Sequence, residues 1–162
     1  MTDTNSSTGA ETPRPMVIGW REYLALPDWG IERIRVKVDT GARTSAIDVM
    51  HLEEIGDNWV RFDVAVARHP EPEVVTAEAH VIRRSRVKSS FGHAHERLAV
   101  ETTIRLGSVE KTIELGLVNR KNMLCRMLLG RKALNGDFIV DPEHRYLVSK
   151  RKRSKRKRKR PV

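Results

Sequence analysis

The sequence predicts an all-β fold, a closed barrel or sandwich of short strands with a single helical turn near its end. Three observations carry that expectation. Trp59-Val60-Arg61-Phe62-Asp63-Val64-Ala65-Val66 alternates apolar and polar residues, the period of a half-buried strand. Leu98 to Leu106 and Lys111 to Val118 are β-prone runs on either side of Gly107-Ser108, the pattern of a tight hairpin. Met127-Leu128-Leu129 and Phe138-Ile139-Val140 are apolar runs too short for helices and suited to buried strands.

Taken in chain order, Met1 to Pro15 is polar and rich in Ser, Thr and Pro, so it reads as a disordered leader without the apolar stretch of a secretory signal. The folded domain is expected over 16–148. Ile34-Arg35-Val36-Lys37-Val38 forms a strand that ends at Asp39. Gly56-Asp57-Asn58 is a turn signal ahead of the Trp59 strand, and Val74 to Ile82 is a further β-rich run. Arg83-Arg84-Ser85-Arg86-Val87-Lys88 leads into Ser89-Ser90-Phe91-Gly92, the composition of a hairpin tip. Arg131 to Leu134 is one helical turn, stopped by Gly136.

The formal charge of +10 is a property of one end. Lys150 to Arg160 holds ten basic residues in eleven positions; without them 21 Lys and Arg balance 21 Asp and Glu. Such a block repels itself and is expected to be disordered over 149–162, either as a solubilising end or as a sequence-independent attraction to RNA, ribosomes or other acidic surfaces. No apolar run approaches the roughly 20 residues of a membrane span. The lone Cys125 cannot form an internal disulfide, which fits a cytoplasmic setting, and reads as a small buried side chain. Trp20 and Trp59 read as core or interface fillers.

The chemistry-bearing motif is Asp39-Thr40-Gly41-Ala42. An acid at a strand end, followed by Thr and Gly, is how aspartic peptidases present a catalytic carboxylate. Two such carboxylates share one proton and so hold and activate a water. Thr40 can lock the loop through its hydroxyl, and Gly41 permits two backbones to approach where a Cβ would clash. Asp-Thr-Gly is also an ordinary turn composition, so the motif needs company. Leu128-Leu129-Gly130 supplies it, as an apolar strand able to pack beneath the loop. The chain holds one such motif: Asp141 is followed by Pro142, and Asp48 and Asp137 lack the Thr-Gly context. The second carboxylate is therefore expected from an identical chain on a two-fold axis.

Five stretches occur together in family order: Val17–Glu22, Asp39–Ala46, Val87–Gly92, Asn119–Met123 and Arg126–Arg131. With them the chain resembles the retropepsin-like proteins often labelled "ATP-dependent zinc protease", over about Met16 to Leu147. Members are often associated with RimK-type ATP-grasp ligases that add glutamates to proteins. The resemblance implies a homodimeric aspartic peptidase with a closed barrel and a short helix after the Leu-Leu-Gly strand. It implies Asp39, Thr40 and Gly41 as catalytic loop, supported by Leu128, Leu129 and Gly130. Ala42 and Arg43 beside that loop, with Lys88, Ser89, Ser90 and Gly92 on a covering flap, would meet substrate. Basic residues at the flap and at Arg43 favour an acidic or glutamylated peptide.

The label's other words find no counterpart in the residues. There is no Gly-x-x-x-x-Gly-Lys phosphate cradle and no His-Glu-x-x-His helix, so neither cofactor nor metal is expected. His93-Ala94-His95 could present two imidazoles on one face of a strand but lacks a third ligand. Two other functions stay open: a catalytically silent barrel that recruits a ligase or ribosome, and a zinc peptidase as the label says.

Overall fold

The computed structural model describes residues 12–67, 72–119 and 124–150. Eleven strands and one short helix follow in order among them. β1 (Met16–Gly19) and β2 (Arg21–Leu26) lead to a 3-10 turn at Pro27–Trp29. Pro27 pre-sets its first φ, and Gly30, at φ +66°, donates its N–H to the Pro27 carbonyl at 3.1 Å and reverses the chain. β3 (Ile31–Val38) then runs back along β2, with Ile34, Val36 and Val38 turned inward and Arg33, Arg35 and Lys37 outward.

Six strands close a barrel. β3 pairs in parallel with β10 (Met127–Leu129), β10 antiparallel with β4 (Ser45–Asp48), and β4 in parallel with β9 (Val109–Val118). β9 pairs with β8 (Ala94–Leu106), and Ala25 opposite Arg105 joins β8 back to β2. Leu26, Ile34, Val36, Ile47, Ile104, Leu115 and Leu129 fill its interior with almost no exposure. An arm of β5 (Met50–Gly56), β6 (Trp59–Ala67) and β7 (Glu73–Lys88) extends the sheet beyond β8 and folds its apolar side onto the same core. Phe62 of β6 meets Trp29 edge-to-face at 5.1 Å. The helix α1 (Arg131–Leu134) follows β10, and β11 (Phe138–Asp141) pairs in parallel with β1.

The all-β expectation holds, and so do the Gly107-Ser108 hairpin and the helical turn at Arg131–Leu134. The turn before β6 places Asp57 and Asn58 at φ +49° and +60°, the paired left-handed conformation of a tight hairpin that such side chains tolerate. Trp59 is not core: it stands outward beside His80, because it occupies the solvent-facing phase of β6. Trp29, between Pro27-Asp28 and Gly30, is the buried tryptophan. Cys125 is buried, as expected.

A strap over 142–149 crosses β1 and β2. Trp20 N–H donates to the His144 carbonyl at 2.9 Å and Tyr146 N–H to the Arg21 carbonyl at 2.8 Å. Glu22, fully buried, anchors it: Oε1 accepts the N–H groups of Gly19 and Leu147 at 2.8 Å each, and Oε2 accepts the Ser149 N–H at 3.1 Å and its hydroxyl. Asp141 caps the strap's turn, accepting from the Glu143 N–H and pairing with His144 Nδ1, both at 2.8 Å. No helix among the described residues is long and apolar enough to cross a membrane. The expected leader through residue 11, the tail from 151 and positions 120–123 of the Asn119–Met123 stretch lie outside the described residues.

Candidate active site

Asp39 is placed by the parallel pairing of β3 and β10, which sets Val38 beside Leu129. Its N–H donates to the Leu129 carbonyl at 2.9 Å, carrying the ladder one step past the strand. The chain then turns on the aspartate itself. Oδ1 accepts the Gly41 N–H at 2.9 Å, and the Asp39 carbonyl accepts the Ala42 N–H at 3.3 Å. A Cβ at Gly41 would sit 3.1 Å from that same Oδ1, so glycine there keeps the carboxylate in place.

A second loop passes beneath the first. Gly130 N–H donates to the buried Ser45 hydroxyl at 3.0 Å, Arg131 N–H to the Ala42 carbonyl at 2.8 Å, and Lys132 N–H to the Arg43 carbonyl at 3.0 Å. The Arg131 guanidinium reaches over the motif and donates from Nη1 to the Thr40 and Gly41 carbonyls at 3.0 and 3.1 Å. Asp39, Thr40, Gly41, Ala42 and Arg43 are thus brought together with Leu128, Leu129 and Gly130. Two details differ from the sequence reading. The close crossing of two backbones occurs at Gly130, where a Cβ would lie 2.5 Å from the Thr44 carbonyl oxygen, rather than at Gly41. The lock expected of Thr40 comes from Arg131, a role that no sequence pattern had marked; Thr40 is exposed and its hydroxyl has no partner among the described residues.

Beside Thr40 opens a cleft of about 650 Å³, with Arg43, Arg131 and Lys132 on its polar side and Leu134, Phe138 and Val140 on its apolar side. Among the described residues no carboxylate lines it. Glu114, 3.8 Å from Lys132 Nζ, is the nearest counter-charge in an ion pair and also holds Arg83.

Lys88, Ser89, Ser90 and Gly92 lie apart from this cluster, at the tip of the β7–β8 hairpin. Ser89 N–H donates to the His93 carbonyl at 2.8 Å, and Gly92 takes φ +82° to close the turn. Phe91 at the tip is 88% exposed. Among the described residues no hydrogen bond or ion pair joins this turn to the Asp39 loop. Part of the hairpin's basic run is neutralised: Arg83 pairs with Glu114, and Arg84 with Glu54 and Glu96. Hydrogen bonds donated to those two carboxylates, first Glu54, hold the Arg84 guanidinium above its ordinary pKa. Arg86 and Lys88 remain outside any ion pair among the described residues.

His93 lies in the turn, one residue before β8, and His95 lies on β8. Among the described residues no three His, Cys, Asp or Glu side chains converge as a metal site. Asp48, nearly buried, is paired with Arg126 just before β10 and fixes that strand's entry rather than offering a second catalytic acid.

Residues 17–151 match the family model for RimB-like proteins, described as the retropepsin-like aspartic endopeptidase RimB. The chain belongs to the RimB-like family. Its six-stranded barrel is the retropepsin-like fold that this membership implies. Among its relatives, a probable alpha-L-glutamate ligase of Shewanella pealeana is 33% identical over 138 residues, 83% of this chain and 30% of that protein. One of Desulfotalea psychrophila is 36% identical over 129 residues, 78% of this chain and 28% of that protein. The chain therefore spans under a third of the length of these ligases. The crystal structure of Lpg0085 from Legionella pneumophila, titled as a protein of unknown function, superposes with a TM-score of 0.68 at 26% identity, covering 84% of this chain and all of that one.

Proposed function

We propose that this RimB-like chain is an aspartic endopeptidase whose dyad is completed by Asp39 of a second copy. The observation that carries the reading is the Asp39 carboxylate held by the Gly41 N–H, on a loop pinned from below by Leu129 and from above by Arg131. One carboxylate accepts a proton from a bound water as its oxygen attacks the peptide carbonyl carbon. The other, protonated, donates to the carbonyl oxygen, and the resulting diol collapses as the amine leaves with a proton. Thr40, exposed next to Asp39, is positioned to meet the partner copy's loop.

The substrate class we favour is an acidic or glutamylated peptide, with Lys88, Ser89, Ser90 and Gly92 of the β7–β8 tip covering it. Arg43, Arg131 and Lys132 line a cleft without carboxylates, which supports this choice. So do relatives named as glutamate ligases. A RimK-type ligase is the partner this reading expects. The test compares wild type with Asp39→Asn and Asp39→Ala, using mass spectrometry on glutamylated and unmodified peptides and sedimentation for oligomeric state. Cleavage by a wild-type dimer, lost in both variants, supports the reading; cleavage surviving in Asp39→Ala sinks it.

A second reading, a silent module that recruits a ligase, is favoured by relatives that carry this region within a longer ligase chain. It predicts no wild-type cleavage of either peptide and ligase binding that Asp39→Ala leaves intact. A zinc peptidase gains no support from the described residues, among which no third ligand converges with His93 and His95.

A further inference from the structure

The body's balanced charge conceals a separation. On the β6–β8 side, Arg61, Arg83, Arg84 and Arg105 each sit on a glutamate. On the outer face of β2 and β3, Arg21, Arg33, Arg35 and Lys37 have no ion pair among the described residues. Arg33, Arg35 and Lys37 are alternate residues of one strand, and so stand in a row at about 7 Å spacing. Arg21 faces Lys37 across the ladder, and Tyr23 faces Arg35.

Two of these guanidiniums sit over aromatic rings: Arg33 at 3.7 Å from the Tyr23 centroid and Arg21 at 4.5 Å from that of Trp20. Tyr23 in turn stacks on Tyr146 of the strap at 5.1 Å. A guanidinium held over a ring keeps N–H groups for bidentate acceptors, such as the two non-bridging oxygens of a phosphodiester. The row ends where the basic run of the sequence begins, because Arg33 Nη2 donates to the Lys150 carbonyl at 2.6 Å.

We propose that the β2–β3 face binds the phosphodiester backbone of RNA, in continuity with the basic run that starts at Lys150. This inference is independent of the peptidase reading. It revises the expectation that long-range attraction comes from the tail alone. An unpaired cationic row that continues into ten further basic residues matches a polymer of evenly repeated charge. An acidic peptide handled by Asp39 has its own cations in the cleft of Arg43, Arg131 and Lys132.

The test uses the full chain and a labelled oligo(U) of about 20 nucleotides, with anisotropy titrations from roughly 50 to 300 mM KCl. Lys37→Gln removes a cation with no ion pair among the described residues, and Arg35→Gln one that also donates to the Leu124 carbonyl at 2.8 Å. Each should weaken binding several-fold and lower the slope of log K against log salt by about 0.7. Arg61→Gln, whose guanidinium is ion-paired on the arm, should leave the slope unchanged. Unchanged slopes in both Lys37→Gln and Arg35→Gln would overturn the proposal. So would variants that lose binding to an oligo-glutamate peptide while holding oligo(U) as tightly as wild type.

Discussion

Gly130 passes so close beneath Thr44 that a β-carbon on it would lie 2.5 Å from the Thr44 carbonyl oxygen. This crossing is what stacks the α1 loop under the Asp39 loop, and both atoms that would collide with the Cβ most closely are backbone. Gly130→Ala should therefore cost about 1–3 kcal/mol, as overpacking does in rigid sites. Urea unfolding would read that loss, and cleavage should fall further than stability because Asp39 moves with the displaced loop.

Arg131 binds two successive carbonyls of the motif, Thr40 and Gly41, from one nitrogen. Arg131→Gln should leave most of the barrel's stability intact and reduce kcat by about tenfold to a hundredfold, the order expected when a reacting group drifts by up to an ångström. A rise in KM with kcat unchanged would instead assign Arg131 to substrate binding.

Glu22 accepts the N–H groups of Gly19, Leu147 and Ser149 and the Ser149 hydroxyl from full burial. Glu22→Gln turns one acceptor into an NH2 that faces donors. It should destabilise the fold by about 3 kcal/mol. Hydrogen exchange at the Leu147 and Ser149 amides should rise before that of the barrel strands; exchange rising uniformly would show that the strap is no separate unit.

The pairing with His144 and the Glu143 N–H holds the Asp141 carboxyl below its ordinary 3.8. A group with a lowered native pKa adds stability above the unfolded value and loses it as pH falls through the native one. Wild type should therefore exceed Asp141→Asn in stability above about pH 4, the gap closing as the solution becomes more acid. Denaturant midpoints between mildly acidic and strongly acidic pH would check the sign; a gap that widens in acid would contradict it.

Much of the site could be read along the chain because its parts are local. Asp39 ends an apolar run, Leu128-Leu129-Gly130 ends another, and α1 follows with Gly136 behind it. What escaped reading depends on partners far apart in sequence. Glu22 looks like a surface residue until the strap at Leu147–Ser149 covers it. Arg83 and Arg84 look like free flap cations until Glu114, Glu54 and Glu96 arrive from other strands. β4 was invisible because its four residues include the buried polar Ser45 and Asp48, which break the apolar signal of a strand.

The strap also has a metric consequence. Because Arg33 holds the Lys150 carbonyl, Lys150 is fixed on the same strand that leads into Asp39. Six residue steps of extended backbone run from Arg33 to Asp39, or about 20 Å. On the proposed peptidase reading, a target gripped near Lys150 would be moored at a set distance from the Asp39 carboxylate, and β3 would act as a ruler. Substrates whose scissile segment reaches about that far from their anchorage would be favoured over longer or shorter ones, whatever their sequence.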